Sequence, residues 1–223
     1  FNYVTSWYAG IGKQMETAIH PDLVKRRVLS DTSVNQLSYS SLISMTNSCY
    51  GCIDTLKKGR KDITILHETE NIATAKVLSN NFFDYLHLVK FNNYWKIMNV
   101  VWDYYTVTST GGSIELVATL KSYVDNLKTG DVTKISELLH PQYKGTLALS
   151  HSETNQVNKS QFLTTITENP DFYSKKEFEF EILDIYMNTA SAKINSNDSI
   201  EYLHFTYQNN KWYIINALRN FQF

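Results

Sequence analysis

His87 and His204 sit in nearly the same sentence written twice. "DYLHLVKFNNYWKIMNVVWDY" covers Asp84–Tyr104 and "EYLHFTYQNNKWYIINALRNF" covers Glu201–Phe221. Histidine titrates near neutral pH, so a mid-strand His among apolar residues is either an acid–base group or a core residue held by hydrogen bonds. His20 and His140 each precede a proline where a helical pattern ends. A histidine there meets the helix dipole and bonds the last carbonyls. Cys49 and Cys52 form a CxxC that reads as a redox pair, half of a zinc site, a local disulfide or incidental thiols. The second CxxC or nearby His pair that zinc needs is absent from the sequence, so no metal is expected. No GxSxG, P-loop or dinucleotide fingerprint occurs, and no cofactor is expected.

These side chains must be positioned by a chain of 223 residues, long enough for one large or two small domains. Its composition, 43% hydrophobic and 19% charged, supplies a real core. A net charge of -1 lacks the basic footprint of a nucleic-acid binder. No apolar run of about 18 residues exists that could span a membrane as a helix. "KKGRK" (Lys57–Lys61) reads as a solvated basic turn.

The repetition extends well beyond the histidines. At an offset of 117, residues 72–103 and 189–220 are identical at 13 of 32 positions, including Tyr85/Tyr202, His87/His204, Trp95/Trp212 and Asn99/Asn216. Upstream the offset is 120, pairing Tyr3 with Tyr123, Gly10 with Gly130 and His20-Pro21 with His140-Pro141. One unit of about 110 residues has been duplicated, giving expected domains at 1–107 and 113–223 with a linker at Thr108–Ser113. The opening helix of the first copy starts only at Phe1, ten residues short of its sister. The expectation is a natural protein that extends upstream, where an export signal could have stood; the compartment stays open.

Each copy reads as helices followed by strands. In the second copy, Ile114, Val117, Leu120, Val124 and Leu127 recur at helical spacing. Gly130 ends that helix, Asp131 caps the next, and Pro141 stops it. A third helix carries Phe162, Leu163 and Ile166, and strands follow over 178–187, 189–195, 200–208 and 211–221. The last two strands form a hairpin about Asn92-Asn93 or Asn209-Asn210, residues that tolerate a type I′ turn. That turn predicts a register in which His87 faces Met98, Tyr85 faces Val100 and Phe83 faces Trp102, all on one face. Leu86, Leu88, Ile97, Asn99 and Val101 occupy the other. Asp84 and Glu201 then point away from the histidines, toward solvent or the sister unit. Both faces are apolar, so both need cover. One would be covered by the unit's own helices and the other by its sister, an internal pseudo-dimer. Self-association through sheet faces is a related expectation.

The order helix, Gly130-Asp131, helix, His-Pro, short helix and sheet ending in "YLHLVK-NN-WKIMNVVW" resembles the nuclear transport factor 2-like superfamily. More narrowly it is similar to the bacterial group labelled "putative lumazine-binding", related to polyketide-cyclase-like and ketosteroid-isomerase-like proteins. The resemblance implies an α+β fold of two tandem cones, each a strongly curved antiparallel sheet wrapped around N-terminal helices, with a pocket inside. By analogy with ketosteroid isomerases, Tyr3 and Tyr123 lie seven residues before the helix-ending glycine, where a hydroxyl polarises a carbonyl. Their alternative is that of buried aromatics. Matching the hairpins places His87 and His204 near the isomerase acid, with Tyr85 and Tyr202 on the same face, and Trp102 on the pocket wall. His20 and His140 would stand at the rim. The isomerase base falls on Arg27 and Leu147, neither of them acidic, which argues against that chemistry.

Where the first copy has Trp102, the second has Arg219. An inward Arg needs an acidic neighbour or a ligand anion; an outward one reaches solvent. Three functions follow as expectations. The favoured one is a small-molecule module holding a hydrophobic or aromatic ligand in one or both cones. The second is a cofactor-independent isomerase, cyclase or dehydratase using a pocket His and Tyr. The third is a scaffold whose cones are plugged by its 15 tyrosines and other large side chains.

Overall fold

The computed structural model describes residues 2–30, 32–53, 59–106, 110–150 and 152–221. The first unit runs α1 (Asn2–Ala9), α2 (Gly12–Ala18), β1 (Ile19–Val28), β2 (Val34–Ser38), α3 (Tyr39–Asn47), β3 (Asp62–Glu68), β4 (Ile72–Leu78), β5 (Phe82–Phe91) and β6 (Tyr94–Tyr104). Among the described residues the second follows that order with one added helix, its fourth, as α4 (Ser113–Thr129), α5 (Val132–Leu138), β7 (Leu139–Ser150), β8 (Glu153–Asn158) and α6 (Lys159–Glu168). It continues with α7 (Pro170–Ser174), β9 (Phe178–Tyr186), β10 (Thr189–Ser196), β11 (Ser199–Gln208) and β12 (Lys211–Phe221). Thr108 and Ser109 of the expected linker, and Lys57 and Lys58 of the basic turn, lie outside the described residues.

Local chemistry sets the helix ends as expected. Gly10 and Gly130 adopt φ of +68° and +69°, the left-handed conformation that closes a helix. Asp131 caps α5 by accepting from Lys134 N at 3.1 Å. Asn92, Asn93, Asn209 and Asn210 all have positive φ, as a type I′ turn requires. The strands β1, β2, β7 and β8 and the helix α7 were not read from the sequence. Strand β7 begins right at the His-Pro, through Pro141. Its pairing with β12 jumps from Leu139↔Ile214 to Lys144↔Asn216. Pro141 falls in the unpaired interval, so its missing N–H costs no ladder bond.

Each unit forms an open six-stranded sheet, β2-β1-β6-β5-β4-β3 and β8-β7-β12-β11-β10-β9. All neighbours are antiparallel except β1 with β6 and β7 with β12. One core lies between each sheet and its helices: Tyr3, Val4, Met15, Leu86, Leu88, Val100 and Trp102 belong to the first, and Tyr123, Leu127, Leu203, Phe205, Ile214 and Ala217 to the second. Trp212 is buried, its indole donating to Gly112 O at 3.0 Å. Its counterpart Trp95 is 39% exposed.

The predicted hairpin register holds only near the turn. Phe91↔Tyr94 through Leu88↔Ile97 pair as expected, but then His87 faces Asn99, Tyr85 faces Val101 and Phe83 faces Asp103. Met98 is an extra residue, a β-bulge. Ile215 is its counterpart, between Phe205↔Ile214 and His204↔Asn216. After the bulge, Val100 and Trp102 join the helix side with Leu86 and Leu88. Tyr85, Val101 and Met98 join the opposite side. A hairpin pattern read with strict alternation cannot show an inserted residue.

That opposite side is the seam between the two sheets. Its apolar clusters mix both units: Ile72, Val89, Met98, Ala148, Tyr202 and Leu218 in one, Val28, Tyr85, Val101 and Ile215 in the other. The seam has an approximate twofold character legible in residue numbers. His87 stacks on His204 with ring centroids 3.4 Å apart, and Thr74 Oγ1 lies 3.1 Å from Ser191 Oγ, each residue meeting its own repeat partner. Tyr85 bonds Asp184, while Tyr202 Oη lies 2.7 Å from His67 Nδ1, a reciprocal pair at the same offset. Arg26 bonds Asn216, and Asn99 Nδ2 donates to Thr146 Oγ1 at 3.2 Å in the mirrored contact. The internal pseudo-dimer is thus an isologous interface written within one chain.

The histidines are fully buried there, facing Tyr85, Tyr202, Asn99, Asn216 and Arg26. Neither ring nitrogen of His87 has a hydrogen-bond partner among the described residues, and His204 has only Asn216 at 3.3 Å. Burial holds both well below the ordinary value of 6.5, with His87 and Arg26 depressing His204 further. A depressed folded pKa leaves the unfolded chain binding more protons below about pH 6.5, so stability must fall as pH drops. Set by the unfolded pKa alone, the most that the two together can remove between about pH 7.5 and 5.0 is about 4 kcal/mol. Urea unfolding at both pH values checks this: His87→Leu/His204→Leu should flatten the acid limb, and an unchanged limb would refute the assignment.

Candidate functional site

Each cone contains a cavity between sheet and helices. The first, of about 240 Å³, is walled by Tyr3, Trp7, Tyr8, Phe82, Trp102 and Tyr104, with Lys25 among its lining residues. The second, of about 320 Å³, is walled by Tyr143, Phe162, Phe172 and Tyr173 and includes Glu201 and Arg219. These volumes lie near the low end for drug-sized ligands and suit one small molecule. Large side chains have not plugged the cones.

Three groups converge in the first cone. Tyr3, on α1, donates to Asp84 Oδ2 at 3.0 Å and accepts from Lys25 Nζ at 2.8 Å. Lys25, on β1, donates to Asp84 Oδ1 at 2.5 Å. Asp84, on β5, is completely buried. Burial raises the Asp84 carboxyl and lowers the Lys25 ammonium, while their pairing opposes both shifts. Burial, and then Asp84, raise the Tyr3 hydroxyl. The rings of Trp102, Phe82 and Tyr3 surround the ammonium at 4.9, 5.1 and 5.6 Å, distances at which their π faces stabilise a cation.

The second cone rebuilds this arrangement from different strands. Glu201 on β11 replaces Asp84, but Gly145 stands where the first unit has Lys25. A Cβ at Gly145 would lie 2.9 Å from Tyr143 Oη, so Tyr143, the counterpart of Leu23, occupies the space. The cation comes from Arg219 on β12, the counterpart of Trp102. It donates to Glu201 Oε1 at 3.0 Å and to Tyr173 Oη at 2.7 Å. Burial works against the Arg219 charge, yet Glu201, and then Tyr173 and Tyr123, hold it well above its ordinary value. Tyr123 is buried close by, its hydroxyl without a hydrogen-bond partner among the described residues.

Of the residues singled out from sequence, Tyr3 and Trp102 line the first cavity and Arg219 the second. Tyr123 is buried in the second core and is not among that cavity's lining residues. Tyr85, His87, Tyr202 and His204 lie in the seam, turned from the cones by strand alternation. Asp84 and Glu201, expected on the outer side, face inward for the same reason. His20 and His140 line neither cone cavity. Each accepts through Nδ1 from the backbone two residues on, Asp22 N at 3.1 Å and Gln142 N at 3.0 Å. They brace the strand across its proline and do not end a helix. Position 27, where isomerases carry the base, is an Arg paired with Asp103 at 2.6 Å.

Cys49 and Cys52 form a disulfide. Its loop, with Tyr50 and Gly51, is part of the wall of the first cavity. A Cβ on Gly51 would come within 1.9 Å of the Trp7 indole, so only glycine lets the loop lie on that ring. No cluster of His, Cys, Asp and Glu suited to a metal occurs among the described residues. No helix among them is long and apolar enough to cross a membrane.

Lys25, Asp84, Glu201 and Tyr173 were not picked out as site residues. The available signal was an acid at the same repeat position in both copies, inside otherwise apolar strands, where a charge needs a partner.

The family model described as "Putative lumazine-binding" matches residues 1–103 and again 113–219. The chain belongs to that family. The two matches fall on the two sheets, so the lumazine-binding family unit occurs twice in tandem. No curated protein matches the sequence. Among solved structures, an NTF-2-like protein of unknown function from Silicibacter pomeroyi is 11% identical with a TM-score of 0.44, covering 49% of this chain and 94% of its own. An NTF2-like protein of unknown function from Shewanella baltica is 16% identical (TM-score 0.39, 49% and 92% covered). A protein of unknown function with a cystatin-like fold from Nostoc punctiforme is 13% identical (TM-score 0.39, 51% and 95%).

The buried pair in this lumazine-binding family member gives a direct test of geometry. Lys25→Met alone leaves Asp84 charged and unpaired and should destabilise the chain by about 3–5 kcal/mol. Lys25→Met/Asp84→Asn removes both charges and should return to within about 1 kcal/mol of the parent. Equal losses in the two variants, measured by urea unfolding, would mean that the pair is not coupled.

Proposed function

We propose that the chain is a small-molecule-binding protein whose ligand sits in the aromatic cavity of the first cone, with a second, chemically different site in the other. The supporting observation is the buried acid–base pair at each cavity, kept although its cation comes from β1 in one cone and β12 in the other. A buried ion pair is weak stabilisation at best. Supplying one twice by different residues makes sense for a cavity that must meet a polar group at its floor. The surrounding rings provide the apolar contact area typical of such sites. The family description, lumazine-binding, names a flat aromatic heterocycle and agrees in kind.

An enzymatic reading has one observation in its favour: Tyr3, Lys25 and Asp84 place a hydroxyl, an ammonium and a carboxylate in mutual hydrogen-bonding reach, the ingredients of proton transfer. His87 and His204, the acid–base candidates from sequence, take no part in it.

Trp7 and Trp102 both line the first cavity, so 2-naphthamide should shift their indole N–H signals in NMR and leave Trp95 and Trp212 unmoved. At about 0.4 kcal/mol per heavy atom the dissociation constant should be on the order of 0.1 mM. Filling the cavity with Met45→Trp should abolish the shifts. If the parent protein shows no saturable shift with any bicyclic aromatic, the binding reading fails.

A further inference from the structure

We infer that the first cone selects a neutral, flat aromatic molecule carrying a carbonyl-type acceptor and discriminates against the matching anion, with Lys25 as the residue that meets the acceptor. This rests on the reading that the first cone binds a ligand, and adds the charge and hydrogen-bonding class of what it binds.

The argument is one of charge and direction. Lys25 has three N–H groups. One goes to Tyr3 Oη and one to Asp84 Oδ1. Among the described residues the third has π faces around it, those of Phe82, Trp102 and Tyr3. Lys25 is on the cavity wall, while Asp84, fully buried and absent from the wall, stands behind it. The cavity therefore sees a donor whose charge is already balanced. A ligand carbonyl can take the remaining N–H without changing that balance. A carboxylate would bring a second negative charge close to the buried Asp84, the costly case for a buried ion. The polar demand is for an acceptor, and the aromatic residues of the wall set the shape as flat and apolar.

The second cone supplies a contrast inside the same molecule. There both members of the pair, Glu201 and Arg219, are on the wall, so donor and acceptor are presented together. The rule stated for Lys25 does not extend to it.

The experiment measures 2-naphthamide, 2-naphthoate and naphthalene against the full chain at about pH 6.5, reading the Trp7 and Trp102 indole signals. In the parent protein the amide should bind about tenfold or more tighter than both the carboxylate and the hydrocarbon. Asp84→Asn, which removes the balancing charge and keeps the shape, should invert the order, so that naphthoate binds tighter than the amide. Lys25→Met/Asp84→Asn should bind all three within about threefold of naphthalene, and it covers the case in which either single variant fails to fold. If the probes bind the first cone with no amide preference, or if Asp84→Asn leaves the preference intact, the inference is overturned and the binding site stands. If none of the three shifts Trp7 or Trp102, the site itself is lost and the inference with it.

Discussion

A single inserted residue per hairpin, Met98 in the first unit and Ile215 in the second, sets the arrangement of everything else. Side chains alternate along a strand, so one extra residue exchanges inside for outside from that point on. It lets Trp102 face the cone while Asn99 and Val101 face the sister sheet. Without it, Trp102 would share the seam with His87, and the first cavity would lose a wall. In the second unit the same insertion brings Arg219 inward to meet Glu201, and leaves Asn216 in the seam to meet Arg26.

The seam follows from the same geometry. Two sheets with apolar outer faces cannot remain in water, and within one chain each finds the other at high effective concentration. Identical ancestry gives identical faces, which is why residues meet their own counterparts: His87 with His204, Thr74 with Ser191. Polar seam residues diverged without breaking the pattern. Asp184 accepts from Tyr85, while its counterpart His67 meets Tyr202. Among the described residues no carboxylate faces the stacked histidines, and burial, with Arg26 beside His204, disfavours their charged form. Their repetition reflects an interface and makes no demand for catalysis.

The cones diverged more deeply than the seam. Gly145 stands where β1 supplies a cation in the first unit, Tyr143 occupies the room, and Arg219 supplies a cation from the last strand. The acid hardly changed, from Asp84 to Glu201. The first cone hides its acid behind the cation; the second presents both. The two cavities therefore differ in the polar groups that they offer, although their frames are copies.

The sequence by itself determined the duplication, the opening helices and the closing strands of each unit, the glycine and asparagine turns, and the need to cover both sheet faces. Those are set by local backbone preference and apolar periodicity, which short windows contain. It raised Tyr3, Trp102 and Arg219 as candidates and left open whether Arg219 faced inward or reached solvent. What only the tertiary structure decided is which face each histidine and each acid joined. Strands β1 and β7 carry a proline and a break in pairing, so their pattern hid both them and Lys25. The bulges leave no local mark, because Met98 and Ile215 are apolar residues among apolar residues and either face would bury them. Asp84 and Glu201 became site residues only when cations from distant strands arrived beside them. A buried charge is tolerable only with its partner, and that partner is a fact of three-dimensional packing that no local pattern encodes.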